Sequence, residues 1–273
     1  MLGGYDVNWL GQMTDVQFVK GYADNARSRE RRYDPVPHLP LGEETFEWLT
    51  LLDAILAARG RFVMVEAGAG YGRWLVGAAL AVRQAHPGLP CLLIGVEGDA
   101  HHYACMRKHF RDNGLDPDEH RLIHGAVSDR DGNGEFAVND DHTGWWGQWL
   151  MRQDTPLAGA LDLRTEPIRT CSIETLLRGL PRVDHMDFDI QSAEGIVIAA
   201  GIDAMTAKVK RVFVETHTPE LHSAVAGTFR SRGWQSVHHY GFVHGHMTCE
   251  DETPFGPVNF QGGLQCWLNP SVR

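Results

Sequence analysis

The sequence predicts an α/β fold: an open, Rossmann-like sheet, mostly parallel, with helices on both faces and an antiparallel hairpin at the C-terminal edge. Three observations carry this. Short apolar runs that end in acids alternate with segments of helical period. The first of these runs leads into a turn with three glycines, Gly68-Ala69-Gly70-Tyr71-Gly72. The last two strand-like runs, 234–240 and 263–268, have no convincing helix between them.

The elements follow in order. Residues 1–40 read as an irregular arm that packs on the domain or covers a site, ending in the proline-rich stretch 34–40. A helix from 43 closes near Gly60, its acidic first turn suiting the helix dipole. Phe62, Val63, Met64 and Val65 then form a buried strand, and helical spacing resumes over 73–86. A second strand, 91–96, ends in Glu97; a helix spans 100–113 and a third strand 121–127. Residues 135–138 read as the returning strand of a hairpin, and 139–165 break the rhythm. It returns with a helix at 172–179, a strand at 183–190, a helix at 193–205, a strand at 209–215 and a helix at 219–232.

Composition bounds the function. The chain has 273 residues, 43% of them hydrophobic, which suits one large domain with a sizeable core. Its net charge of -10 argues against a duplex nucleic-acid partner, which needs a basic face. The run Arg27, Arg29, Arg31, Arg32 reads as a solvated surface segment. Five scattered cysteines without a Cys-x-x-Cys pair suit reduced thiols. With no signal-like N-terminus and no apolar run of transmembrane length, a cytoplasmic protein off the membrane is expected.

The glycine turn predicts a nucleotide-like ligand. Glycines permit a tight turn and close backbone approach, but the dinucleotide fingerprint places its third glycine one position later. A P-loop needs Gly-Lys-Ser/Thr, which does not occur. Glu97 at the second strand end suits ribose hydroxyls. Glu66 decides against pyrophosphate, which it repels, and for a ligand with an ammonium group. S-adenosylmethionine, with adenosine, sulfonium and amino-acid tail, fits that set.

The chain resembles the FkbM-type S-adenosylmethionine-dependent methyltransferases from about residue 43 onwards. The residues that carry the resemblance are Glu66-Ala-Gly68-Ala-Gly70-Tyr-Gly72, Gly95-Val96-Glu97, Gly125-Ala126-Val127-Ser128-Asp129, Asp187-Phe188-Asp189-Ile190-Gln191-Ser192-Ala193-Glu194 and Glu215-Thr216-His217-Thr218. Ser192 departs from the pattern, where glycine is expected; a negative φ makes a serine tolerable there. The resemblance implies a class I methyltransferase sheet over 41–273 and methyl transfer to an oxygen of a sugar or natural-product hydroxyl. It also implies Glu66 near the methionine end, Gly68, Gly70 and Gly72 under the cofactor, Glu97 on the ribose, and Ala126, Val127 and Ser128 beside the adenine.

Ligands of open α/β sheets sit outside the carboxyl ends of the strands, so acids and histidines there are the first candidates. Asp187 and Asp189 share one strand face, and Glu215 and His217 repeat the spacing on the next strand. His217 suits the base that takes the acceptor's proton, with Asp189 holding the hydroxyl or orienting the histidine. Alternatively Asp189, Glu215 and His217 ligate a divalent metal, the oxygens favouring Mg²⁺ or Mn²⁺ and the histidine Mn²⁺ or Zn²⁺. Asp187 reads as a cofactor-facing acid or a buried acid capping backbone. Trp145, Trp146 and Trp149 suit an aromatic wall for the acceptor or plain packing. His238, His239, His244, His246 and Cys249 match no zinc spacing and read as a rim loop. The expected partner is a small-molecule acceptor, in a monomer or homo-oligomer. The alternatives are an N-methyltransferase, a NAD-type oxidoreductase and a non-catalytic binding protein of the same fold.

Overall fold

Period-2 alternation on the central strands divides the core into two layers. On β3 (Phe62–Ala67), Phe62 and Met64 join an apolar cluster on one face, and Val63, Val65 and Ala67 join the cluster on the other. The neighbouring β4 (Cys91–Glu97) does the same with Leu93 against Leu92, Ile94 and Val96. Strands buried on both faces need helices on both sides, and the chain supplies them. The computed structural model describes residues 4–22, 42–144, 147–151, 163–241, 249–253, 256–260 and 262–272.

Its elements begin with a hairpin of β1 (Tyr5–Val7) and β2 (Met13–Asp15). Helix α1 (Glu43–Ala57) precedes β3, α2 (Arg73–Ala85) lies between β3 and β4, and α3 (Ala100–Asp112) leads to β5 (Arg121–His124). After a second sheet come α4 (Ile173–Leu176), β10 (His185–Phe188), α5 (Glu194–Lys208), β11 (Arg211–Thr216), α6 (Pro219–Ser231) and β12 (Gln235–Tyr240). The last strand is β15 (Gly263–Leu268). Helices α1, α2 and α3 contribute to one apolar cluster, and α4, α5 and α6 to the other. Among the described residues, no helix is long and apolar enough to cross a membrane.

The seven-stranded sheet has the order β12-β15-β11-β10-β3-β4-β5. Strands β5, β4, β3, β10 and β11 pair in parallel, and β15 pairs antiparallel with both β11 and β12. The chain starts at β3, runs outward to β5, and returns to β10 on the other side of β3. That makes the β3–β10 boundary the topological switch point, where such sheets open a crevice. Glu66 and Asp187 are register partners across it.

The predicted sheet and its antiparallel edge are both present, but several elements differ. The expected strand 121–127 is split at Gly125: β5 belongs to the main sheet, and β6 (Ala126–Val127) pairs with β9 (Arg164–Cys171). The return strand is β7 (Gly132–Val138), and its partners are β9 and β8 (Trp149–Leu150). Together β6-β9-β7-β8 form a second sheet, of which β9 lacks a sequence signal because it carries three charges, an internal Pro167 and one fully buried apolar residue, Ile168. The helix expected over 172–179 is only the four residues of α4. In the connection after β12, β13 (Cys249–Thr253) and β14 (Gly256–Phe260) form a further hairpin.

Residues 4–22 of the expected irregular arm are a packed hairpin. Asn113 donates to Met13 O and accepts from Met13 N, and Phe18 is buried against Tyr71 and His109. Residues 23–41 lie outside the described set.

Ser192 has φ 77° and Gln191 φ 52°, not the negative φ expected at position 192. The left-handed region crowds a Cβ against its carbonyl and costs about 1–2 kcal/mol. This explains the glycine preference at that position. Replacing Ser192 with glycine removes the crowding and loosens the unfolded chain, so Ser192→Gly is expected to stabilise by about 0.5–1 kcal/mol, read as a raised midpoint in urea unfolding.

Candidate active site

The turn after β3 is built around Glu66 and a close backbone approach. Gly68, at φ 81°, passes so near the end of β10 that a Cβ there would lie 1.9 Å from Asp189 O. Gly70, at φ 53°, donates its N–H to Glu97 Oε2 at 2.7 Å. Gly72 caps α2 at φ 71° but faces Met106 and Phe110, so it packs the turn instead of lying under a ligand. The Leu75 N–H in the first turn of α2 bonds Glu66, which substitutes for the side-chain cap that Gly72 lacks. The other oxygen, Glu66 Oε2, is buried without a hydrogen-bond partner.

Glu66, Gly68, Gly70 and Glu97 line a cavity of about 310 Å³ at the switch point. Among the described residues, six carboxylates border it, those of Glu47, Glu66, Glu97, Asp187, Asp189 and Glu215, against one guanidinium, Arg73. Arg73 is itself paired with Glu44 at 2.6 Å. Burying an ionised carboxylate without a partner costs several kcal/mol, which raises the pKa of such a group. Burial, then Asp187, raises Glu66 well above the usual carboxylate range. Burial likewise pushes Glu97 up to about 7, even though Asp99 N–H and Gly70 N–H bond its two oxygens. With Gly98 N–H as a third donor, the carboxylate's four lone-pair sites still leave room to accept from a ribose hydroxyl.

Gly125, Ala126 and Val127 line the same cavity, with Phe136 of the second sheet. Ser128 does not. Its hydroxyl donates to Asp129 and its N–H bonds Cys171 O, because the chain has already turned to pair with β9. Trp149 on β8 is buried and lines the cavity; Trp145 and Trp146 lie outside the described residues. Val19 and Tyr22 add a wall from the N-terminal segment, with the Tyr22 and Tyr71 hydroxyls 3.2 Å apart.

Asp187 caps no backbone. It is buried on the cavity that Glu47 also lines, and its Oδ2 has no hydrogen-bond partner. Asp189 and Glu215 also line the cavity, whereas His217 stands beside them and is not part of its wall. His217 Nε2 lies 3.6 Å from Asp189 Oδ1 and 3.9 Å from Glu215 Oε1, and Nδ1 lies 3.7 Å from Glu194 Oε1. Burial lowers its pKa, favouring the neutral imidazole that a base requires. The grouping that brings one ligand atom from each of three residues within 4.8 Å is Asp189, Glu194 and His217, so Glu194 replaces Glu215 in the expected metal set.

Sequence reasoning missed Glu47 and Glu194 as site residues. Glu47 sits inside an amphipathic helix, where an acid reads as solvated; Glu194 lies in a quoted segment but its burial has no sequence signal. Of the histidines after β11, His239 Nε2 lies 3.0 Å from His222 Nε2 and His238 packs on Phe46, both on β12. His244, His246 and the Cys249 side chain lie outside the described residues.

No protein-family model matches the chain. Over 192 residues, covering 69% of this chain and 67% of the other, it is 28% identical to a protein of Jannaschia sp. (strain CCS1) described as "Putative methyltransferase". Among solved structures, precorrin-6y C5,15-methyltransferase from Geobacter metallireducens GS-15 aligns with a TM-score of 0.44 at 10% identity, covering 87% of this chain and 91% of that one. The METTL16 methyltransferase domain aligns with a TM-score of 0.45 at 10% identity, covering 97% and 87%. The fold is a Rossmann-like, mostly parallel sheet with an antiparallel edge, and in sequence the chain is similar to that protein described as a "Putative methyltransferase".

Proposed function

We propose that this chain is an S-adenosylmethionine-dependent methyltransferase of FkbM type that acts on a hydroxyl of a sugar or natural-product small molecule. One observation carries the reading. At the switch point, Glu66 Oε2 and Asp187 Oδ2 are buried carboxyl oxygens without hydrogen-bond partners, on a cavity bordered by six carboxylates. Such a site is complementary to a cation and repels pyrophosphate, which sets it against a NAD-type ligand. S-adenosylmethionine, when bound, supplies an electrophilic methyl on a sulfonium.

The residues divide the work by position. Glu66 and Asp187 face the positive amino-acid end, Glu97 takes the ribose hydroxyls, and Ala126 and Val127 border the adenine. Trp149 and the N-terminal residues Val19 and Tyr22 shape the rest of the cavity. Asp189 and Glu215 hold the acceptor hydroxyl near His217, whose neutral imidazole takes its proton. An alcohol needs that base because its own pKa is far above neutrality, and this separates the reading from transfer to an already neutral amine.

A divalent cation on Asp189, Glu194 and His217 is the second reading, favoured by their approach to within 4.8 Å. Treatment with EDTA is expected to leave turnover intact; its loss and recovery with Mn²⁺ would favour the cation. Glu97→Gln is expected to weaken S-adenosylhomocysteine binding at least about tenfold in equilibrium titration. His217→Ala is expected to lower kcat by about 10²–10⁴ with that affinity kept, and full turnover would remove it as the base.

Stability is expected to depend on pH. Burial raises Glu97 to about 7 and Glu194 to about 8, so the native state holds protons the unfolded chain has released. Their contribution is complete below the ordinary glutamate value of 4.5 and is lost as pH rises through 7 and 8. His109 and His222, lowered to about 4 by burial, act oppositely, but only below the ordinary histidine value of 6.5. The ligand-free Tm is therefore expected to fall between pH 6.5 and about 8.5, and less so with S-adenosylmethionine bound. A Tm that rises over this window would contradict the burial of these acids.

A further inference from the structure

Trp149 carries an unanswered hydrogen-bond donor. It lies on β8, is only 4% exposed and lines the cavity. Its indole Nε1 is buried and has no hydrogen-bond partner. Buried donors in folded chains nearly always find an acceptor, and the fold supplies none here. An indole N–H donates and cannot accept, so only an atom with a free lone pair can satisfy it. Elsewhere on the same wall, the orphaned atoms Glu66 Oε2 and Asp187 Oδ2 are carboxyl oxygens, which call for a cation or a donor. The cavity therefore asks for opposite chemistry at two places: positive charge at the switch point and a lone pair at Trp149.

The neighbours of Trp149 put it on the β4 side of β3. Strand β8 pairs with β7, Trp149 opposite Ala137 and Leu150 opposite Phe136. The Phe136 ring packs so closely on Gly98 that a Cβ there would lie 2.4 Å from it. Gly98 directly follows Glu97, the acid assigned to the ribose. The connection from β7 to β8 is tied to the same corner. His142 Nδ1 lies 2.9 Å from Asp99 Oδ2, and His142 O lies 2.7 Å from Nε2 of His102, another residue of the cavity wall. Asp189, Glu215 and His217 instead follow or end β10 and β11, on the opposite side of β3 in the sheet. Trp149 is thus grouped with the ribose acid, not with the groups that hold the methyl acceptor.

We propose that Trp149 is a specificity-determining residue for the cofactor's base, its indole N–H donating to an unprotonated ring nitrogen of adenine. The inference rests on the methyltransferase reading. Adenine offers lone pairs at N1, N3 and N7. A purine with hydrogen at the contacted atom leaves the indole N–H unpaired, and a buried polar group left unpaired is what makes a site reject an analogue.

The test is equilibrium titration of the ligand-free protein with S-adenosylhomocysteine and with its 1-deaza, 3-deaza and 7-deaza analogues, each of which replaces one ring nitrogen by C–H. One analogue is expected to bind the wild-type protein about tenfold or more weaker than the parent. In Trp149→Phe, which keeps an aromatic ring and drops the N–H, the parent is expected to lose a similar factor and that analogue little more. The same pattern is expected when 3-benzothienylalanine replaces Trp149, keeping the indole shape with sulfur in place of N–H. That protein decides the matter if Trp149→Phe fails to fold. Unchanged affinity for the parent overturns the inference. Equal losses for the parent and all three analogues also overturn it, because they report ring packing and not the donor. Wild-type protein that binds neither S-adenosylmethionine nor S-adenosylhomocysteine removes the methyltransferase reading itself, whereas tight binding with no analogue discriminated removes only the role of Trp149.

Discussion

Negative charge buried at the sheet's switch point is the constraint on which the site depends. Glu66 and Asp187 face each other across β3 and β10, and Glu47 joins them from α1. Burying a carboxylate without a partner costs little while it is protonated and a great deal once it is ionised. Burial accordingly raises Glu47 and Glu66 well above the usual carboxylate range. A phosphate-bearing ligand makes the imbalance worse, and a sulfonium with an ammonium tail corrects it.

The rest of the molecule holds that arrangement still. Alternating side chains on β3 and β4 bury apolar groups in both layers, which fixes the register of the strands. Gly68 lets the turn close onto Asp189 O, which any Cβ would prevent. Gly70 and Asp99 N–H groups hold the Glu97 carboxyl from both sides. The left-handed backbone at Gln191 and Ser192 lies between Asp189 and Glu194, both beside His217. Strain of this kind persists where surrounding contacts over-determine the loop, as the buried Glu194 does by accepting from Ile190 N–H.

How legible this was in the sequence differs by element. The βα rhythm, the acid–glycine turn and the acids at four strand ends are local patterns, and each stands where spacing predicts. Glu97 and Glu66 follow from such patterns. What spacing does not carry is chain pairing over distance. The second sheet rests on β9, whose polar residues and Pro167 hide a strand, and its formation draws Ser128 away from the cavity. Glu47 reaches the site only because α1 packs over β11 and β15, and its helix gives no hint of that. Glu194 enters the His217 cluster in place of Glu215 because α5 begins directly behind the histidine.

The most direct measurement is calorimetric titration of the ligand-free protein with S-adenosylmethionine at pH 7, repeated in buffers of different ionisation enthalpy. The count of protons exchanged follows from the difference. A cation entering a cavity of protonated buried acids predicts tight binding with net proton release. Absence of binding, or binding with net proton uptake, would contradict the account.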